Sequence, residues 1–473
     1  MDELLLTRYL DRSKDRALRS LLDWLRIPSI SADPARAGDV AASAGFCADL
    51  LQQAGFGSVE VLHAGATGGD GGDGDGGGAP AVYGELLGAG EDAPTVLVYG
   101  HHDVQPVDPL EEWTSPPFEP VVSDGIVYAR GCSDDKGQML MQVEAARGVL
   151  EERGGLPVNL KFLIEGEEEV GSPHLEDLLQ AERERFECDI IVVSDTGMVA
   201  AEIPSTTLSM RGLVAFDVTL RSAKSDLHSG LWGGTVPNAA LLASQLVASL
   251  HDERHRVTLP RFYDNVRELT GEEAASLAAV PFDEAEFRQQ AGVSFLVGEE
   301  GRTAYERTGT RPTAEVVGIH SGYAGPGIKT IVPAAANFKV ALRLVPDQRP
   351  EDIEASFRQW VSARIPDGVQ VTVTRHGAVS PLWTSSDHPA VRAVSESIER
   401  VWGKAPLFTR SGGSGPEESL GRVLGAPVIF LGVALPTDSF HAPNEHLELP
   451  QLWRGILAAG ELLVGLGSLE GGR

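Results

Sequence analysis

Four apolar runs in this chain each lead, within a few residues, to histidine or acid. Thr95–Tyr99 (TVLVY) runs into Gly100-His101-His102-Asp103, and Leu160–Ile164 into Glu165 and then Glu167, Glu168 and Glu169. Asp189–Val193 (DIIVV) reaches Asp195, and Val428–Val433 precedes Asp438 and His441. Their β-branched and aromatic content reads as buried strands. Amphipathic stretches separate them: 15–26 with Leu18, Leu21, Leu22 and Leu25, then 40–54, 138–153, a helix to about 186, 389–402, 416–424 and 449–466. Strands alternating with helices imply an α/β sheet, whose ligands sit beyond the carboxyl ends of the strands. Three adjacent glutamates repel one another, and a lone EEE reads as a solvated turn. Recurrence of ligand-type residues at the other strand ends points instead to a bound divalent cation. One carboxylate then serves as ligand and a neighbour stays free as a base. Ser172-Pro173 is expected to open the next helix as cap and first residue.

The middle of the chain has a different grammar. Strands are expected at 213–220, 313–320, 337–345 and 369–374, with helices at 236–250 (Pro237 in its first turn) and 350–364. That β-α-β-β-α-β order is the split, ferredoxin-like arrangement. It predicts an inserted domain over 209–377, with 1–208 and 378–473 forming the catalytic domain. Residues 251–312 read as excursion loops and short helices. Gly65–Gly78 is a low-complexity, flexible loop. Its glycines imitate a dinucleotide fingerprint only loosely, because no strand leads in and no helix follows.

The 68 acidic and 39 basic residues give a net charge of −29, which argues against nucleic acid or an anionic membrane as partner. Cys47, Cys132 and Cys188 are odd in number and scattered, so no disulfide framework is expected. The first residues, MDELLLTRYLDRSKDR, do not read as a signal peptide, and no apolar run approaches the ~20 residues of a membrane helix. A cytoplasmic enzyme is the expectation.

The motifs, taken in order, carry a resemblance. HHDVQPVDPLEEW (101–113), ARGCSDDKGQ (129–138) and EGEEEVGS (165–172) are followed by SDTGM (194–198), DLHSGLWGG (226–234), GGS (412–414) and HAPNEH (441–446). The chain resembles the co-catalytic zinc aminopeptidase-like family of carnosinase, aminoacylase and succinyl-diaminopimelate desuccinylase, and within it the carnosinase-type dipeptidases. The match spans nearly the whole chain. It implies a zinc-exopeptidase-like α/β catalytic domain, its mixed sheet flanked by helices, and makes the ferredoxin-like α+β insertion a lid and dimerisation domain. It also implies two metals: His101 and Asp195 on one, Glu169 and His441 on the other, and Asp134 bridging both. Two histidines with three carboxylates form a sulfur-free set that suits Zn²⁺ and also Mn²⁺ or Co²⁺. Such a pair of metals lowers the pKa of a shared, bridging water and polarises the scissile carbonyl.

Residue by residue, the resemblance makes Glu168 the general base and Asp103 the carboxylate that orients His101. It puts a cis peptide at Asp134-Asp135. His228 would cross from the partner of a homodimer to stabilise the oxyanion. Arg343 would hold the substrate carboxylate, and Ser414 would line the substrate pocket. Two departures stand out. Glu167 replaces an apolar residue of the pattern, and SGGSGPEE lacks both the acid before its glycines and the apolar residue after Ser414.

Other motifs fall away. In His251-Asp-Glu-Arg-His255 the acid is misplaced for a zinc HExxH, so a polar helix end is expected. Gly412–Pro416 lacks the last glycine of a nucleophile elbow. Cys132 is expected to be a packing residue, and His102 and His446 to lie behind the ligands or on the surface. Three functions follow: a dipeptidase acting on small peptides, an N-acyl-amino-acid deacylase or desuccinylase using the same site, and a non-catalytic peptide- or metal-binding protein. Glu168 and the complete ligand set count against the third.

Overall fold

The computed structural model describes residues 4–63 and 77–469, so residues 65–76 of the expected glycine-rich loop lie outside it. The chain divides into two units. One is Met1–Leu208 with Thr384–Thr409 and Pro416–Arg473; the other is Ser209–Trp383 with Arg410–Gly415.

The first unit is built on a six-stranded sheet. Its strands are β1 (Ser58–His63), β2 (Pro80–Leu86), β3 (Thr95–His101), β4 (Asn159–Glu165), β5 (Ile190–Val193) and a last strand, Val428–Phe430. In space the order is β1-β2-β4-β3-β5-last. β3 runs parallel to β4 and β5, and the last strand parallel to β5, while β1 and β2 pair antiparallel. Every residue of β3 is buried, which is why it reads as a continuous apolar run rather than an alternation. Register sets His101 directly opposite Glu165, so β3 and β4 finish side by side.

The last strand is three residues long rather than the six expected. Leu431 N–H still reaches Val193 O at 2.9 Å, but the Val433 N–H is taken by the Gln138 side chain at 2.9 Å and the ladder stops. Helix α1 (Thr7–Leu25) starts a full two turns before the predicted residue 15. Leu6, Tyr9 and Leu10 are buried there, and Tyr9 Oη and Arg16 Nη2 both reach the buried Glu144 at 2.6 Å. Helix α2 (Ala37–Gln53) packs on β1 and β2. Helix α3 (Lys136–Arg153) is buried on all sides from Lys136 to Val149, between α1, β3 and the C-terminal helix Leu449–Leu466. Gly154 ends it at φ 72°, its N–H bonding Leu150 O at 2.9 Å.

Ser172 does not cap the following helix, which begins at Leu175. Ser172 sits at φ 49° and its hydroxyl donates instead to Glu165 at 2.9 Å.

The second unit carries β6 (Gly212–Arg221), β7 (Thr313–Ser321), β8 (Ala335–Leu344) and β9 (Gln370–Val379), with helices α4 (Ala239–Ala248) and α5 (Pro350–Ser362). The sheet order is β7-β8-β6-β9, all antiparallel, which is the ferredoxin-like order. Inward residues alternate along β6 and β8 over a core where Phe216 stacks on Phe357 at 4.3 Å beside Trp360 and Phe338. Helix α4 starts later than expected, at Ala239. The Asn238 side chain caps Leu241 N–H at 3.1 Å, leaving Pro237 ahead of the helix. Residues 251–312 hold three short helices, Gly271–Ala279, Glu284–Ala291 and Ala304–Gly309. The first and third open with capping boxes, Thr270/Glu273 and Thr303/Glu306.

Candidate metal centre

The first unit gathers its imidazoles and carboxylates at the carboxyl ends of β3, β4 and β5 and in two loops. His101, the last residue of β3, is fully buried and fixed by its own backbone, whose N–H reaches Asp135 Oδ2 at 3.2 Å. Gly100 before it has no alternative, since a Cβ there would strike the Asp135 carboxylate and Met139. The His101 ring points Nδ1 at the Asp103 carbonyl, 3.0 Å away, with the Asp103 carboxylate at 3.4 Å. Nε2 faces the acids: Asp134 Oδ1 at 3.1 Å and Asp195 Oδ2 at 3.7 Å. The Asp103 main chain thus orients His101 more closely than its carboxylate does.

The Asp103 carboxylate has another duty. Oδ1 accepts Glu168 N–H at 3.2 Å and Oδ2 accepts Glu169 N–H at 3.1 Å, fastening the turn after β4. Glu169 Oε2 accepts from Gln105 at 2.7 Å and lies 3.2 Å from His441 Nε2. His441, held at φ 58° in a loop, also meets Asp134 Oδ2 at 3.0 Å. Asp134 therefore offers one carboxylate oxygen to each histidine. The Asp134-Asp135 peptide is cis.

Glu445 holds the Asp134 loop from behind. Its two oxygens accept the N–H groups of Gly131, Ser133 and Asp134 at 2.9–3.1 Å, and the buried Arg130 guanidinium at 2.7 Å. Asp438 adds a bond from the Ser133 hydroxyl at 2.7 Å. Sequence reasoning gave Glu445 no role. The one signal was an acid inside HAPNEH, and its partners lie 311 to 315 residues away.

Glu167 turns away from this cluster. Its carboxylate accepts the N–H of His174 at 2.9 Å and of Ala79 at 3.1 Å, and faces the His174 ring at 3.1 Å. It ties the turn to β2 and to the next helix, which accounts for an acid where the family pattern is apolar.

The crowding shows in the titration of the groups. Burial pushes the Glu168 carboxyl up to about 7; His101 opposes this and Glu169, Asp134 and Asp103 add to it. Asp195 is likewise raised by burial and by Asp134. Burial alone would lower His101, but Asp103, Asp134 and Asp195 raise it above the ordinary imidazole value. Asp134 and Glu169 hold His441 up to about 10.

Among the described residues, two groups bring ligand atoms within 4.8 Å of one another: His101, Glu168 and Asp195, and His101, Asp134 and Glu169. Mutually repelling, partly buried carboxylates around imidazole nitrogens, with no sulfur among them, fit hard or borderline divalent cations. The first group takes in Glu168, so the expected base stands as near His101 as a ligand does.

Of the remaining expected residues, Arg343, Ser414 and His228 belong to the second unit. Arg343 Nη1 donates to Ser414 Oγ at 2.9 Å, and Ser414 Oγ donates to Arg211 O at 2.5 Å. His228 is exposed, its Nδ1 accepting Gly230 N–H at 3.0 Å. His102 is buried, with Nε2 on Pro80 O at 2.8 Å, and Cys132 is a buried packing residue. His446 sits over Tyr128, ring centroids 5.5 Å apart. His251 and His255 do not end a helix as expected; they lie in the turn of an isolated bridge between His251 and Val257.

Sheet and donor set together define a metallopeptidase architecture. A model of the peptidase family M20/M25/M40 matches residues 97–464, and the chain belongs to that family as a peptidase. It is 30% identical to the Cys-Gly metallodipeptidase dug1 of Schizosaccharomyces pombe over 458 residues, 94% of each chain. It is 29% identical over 450 residues to the human Beta-Ala-His dipeptidase, 93% of this chain and 88% of that one. Among solved structures, the M20 family metallo-carboxypeptidase Sso-CP2 from Sulfolobus solfataricus superposes with a TM-score of 0.79 at 31% identity. That match covers 96% of this chain and 99% of the other. Among the described residues, no helix is long and apolar enough to cross a membrane.

Proposed function

We propose that the chain hydrolyses dipeptides with two divalent metals, zinc first and manganese or cobalt next. The observation that carries this reading is Asp134 set between His101 and His441, with Glu168 and Glu169 hung on Asp103 beside it. His101, Asp195, Glu169 and His441 would hold the metals with Asp134 between them, and the metals would polarise the scissile carbonyl and acidify water. Glu168 takes the proton of the attacking water and delivers it to the leaving amine. Asp103 keeps Glu168 and Glu169 in register. Arg343 receives the substrate's carboxylate, with Ser414 beside it.

In this reading the enzyme is a homodimer and the second unit, about 209–377, serves as lid and dimerisation domain. The exposed Leu231, Val317 and Ile319 on that unit support an interface. The His228 of the partner subunit stabilises the oxyanion. A reducing, cytoplasmic setting suits three unpaired cysteines.

The likeness to a metallo-carboxypeptidase favours a second reading, removal of C-terminal residues from longer peptides. Dipeptides, tripeptides and N-acyl amino acids, compared after chelation and metal add-back, separate the readings. Dipeptides are expected to turn over fastest and only with metal restored. Faster turnover of tripeptides or of acyl amino acids would overturn the dipeptidase assignment.

A further inference from the structure

A cavity of about 550 Å³ within the second unit is lined by Arg211, Arg307, Arg311 and Arg343. That volume is ordinary for a small-molecule site. Arg311 is committed: it makes two bonds to Glu299 at 2.7 and 2.8 Å. The other three are not. Arg211 donates to the carbonyls of Gly412 at 3.0 Å and Arg307 at 3.4 Å. Arg307 donates to the carbonyls of Glu299 and Val297, both at 3.1 Å. Arg343 bonds the Ser414 hydroxyl. Among the described residues, none of these three forms an ion pair with a carboxylate.

Glu315 is the one other acid in the lining, so four guanidiniums face two carboxylates before His251 and His255 are considered. In a chain of net charge −29 such a concentration of unpaired positive charge is an exception. It is also costly. Burial, and then the charge of Arg343, pushes Arg211 down to about 10. Planar guanidiniums that lack a carboxylate partner are ready to bind one in bidentate fashion.

We propose that this cavity is an anion subsite for the side-chain carboxylate of a substrate whose main-chain carboxylate is held by Arg343, so that peptides ending in Glu or Asp are preferred. The inference rests on the dipeptidase reading and on the role given there to Arg343. Arg211 and Arg307 supply the second carboxylate's partners, and loss of either weakens discrimination between an acid and its amide.

Two measurements test it. Metal-free full-length protein is titrated calorimetrically with glutarate and with its monoamide. Glutarate is expected to bind about tenfold or more tightly, and Arg307→Gln to bring the two close together. Arg211→Gln should do the same, and Arg307→Gln carries the test if that variant does not fold. The metal-loaded enzyme is then assayed with Ala-Glu and Ala-Gln, with kcat/KM expected about tenfold or more in favour of Ala-Glu. Equal binding of acid and amide, or a preference untouched by Arg307→Gln, overturns the subsite. If dipeptides are cleaved without an Ala-Glu preference, the substrate inference fails and the dipeptidase reading stands. If glutarate binds as expected but no dipeptide is cleaved, the subsite stands and the dipeptidase reading fails. Inorganic phosphate displacing glutarate while Ala-Glu and Ala-Gln turn over equally assigns the cavity to a phosphate and also overturns the proposal.

Discussion

Asp103 accepts the backbone N–H of Glu169 on its Oδ2 at 3.1 Å, while its Oδ1 takes the N–H of Glu168 at 3.2 Å. A single buried carboxylate, two residues beyond His101, thereby sets where the turn after β4 presents its acids. Asp103→Ala should lose about 10–100-fold in activity together with part of the bound metal. Asp103→Asn, whose amide would oppose one N–H with its own donors, should fall between the two. Turnover and metal content on the same preparations decide this. Full metal content with normal turnover in Asp103→Ala would contradict it.

Glu445 and Arg130 form a buried pair, and Glu445 also collects the N–H groups of the Asp134 loop. Removing the acid strands a buried guanidinium. Glu445→Ala is expected to cost about 3–5 kcal/mol in urea unfolding of the metal-free chain. A loss below about 1 kcal/mol would mean that water reaches Arg130 and replaces the pair.

Glu167 fastens the turn to Ala79 and His174. Glu167→Gln keeps one acceptor for those N–H groups, so its turnover should stay well above that of Glu167→Ala. Equal and severe loss in both would point to a need for the charge itself.

Burial pushes the Glu417 carboxyl up to about 7, with the charge of Glu168 adding to it and His101 opposing. The folded metal-free chain therefore holds this proton more tightly than the unfolded one between the ordinary value of 4.5 and about 7. Stability from this group is present below pH 4.5 and is lost as pH rises through about 7. Glu417→Gln should remove that part of the slope and stabilise the metal-free protein at pH 8, by on the order of 2–3 kcal/mol. An unchanged difference between variant and wild type from pH 4.5 to 8 would contradict the shift.

The fold was legible where periodicity and burial agree. The largely apolar strands ending at His101, Glu165 and near Asp195 announced a sheet with ligand-type residues at its carboxyl edge, and β6 to β9 declared a second sheet. What stayed hidden depends on partners far along the chain. Glu445 looks like a spare acid until the N–H groups of the Asp134 loop come to it. Glu167 looks like a third member of a triplet until His174 and Ala79 turn it around. Ser172 reads as a helix cap, but Glu165 takes its hydroxyl. No local pattern encodes these exchanges, because each is decided by which buried donor lacks a partner once the sheet has formed.

In the proposed mechanism the adjacent glutamates divide two tasks, Glu168 carrying the proton and Glu169 holding metal. Metal stoichiometry of Glu168→Gln and Glu169→Gln, measured on the purified proteins beside their turnover, tests it most directly. Glu168→Gln should retain both metals and lose most activity, whereas Glu169→Gln should lose one metal. Equal metal loss in the two variants would contradict the division.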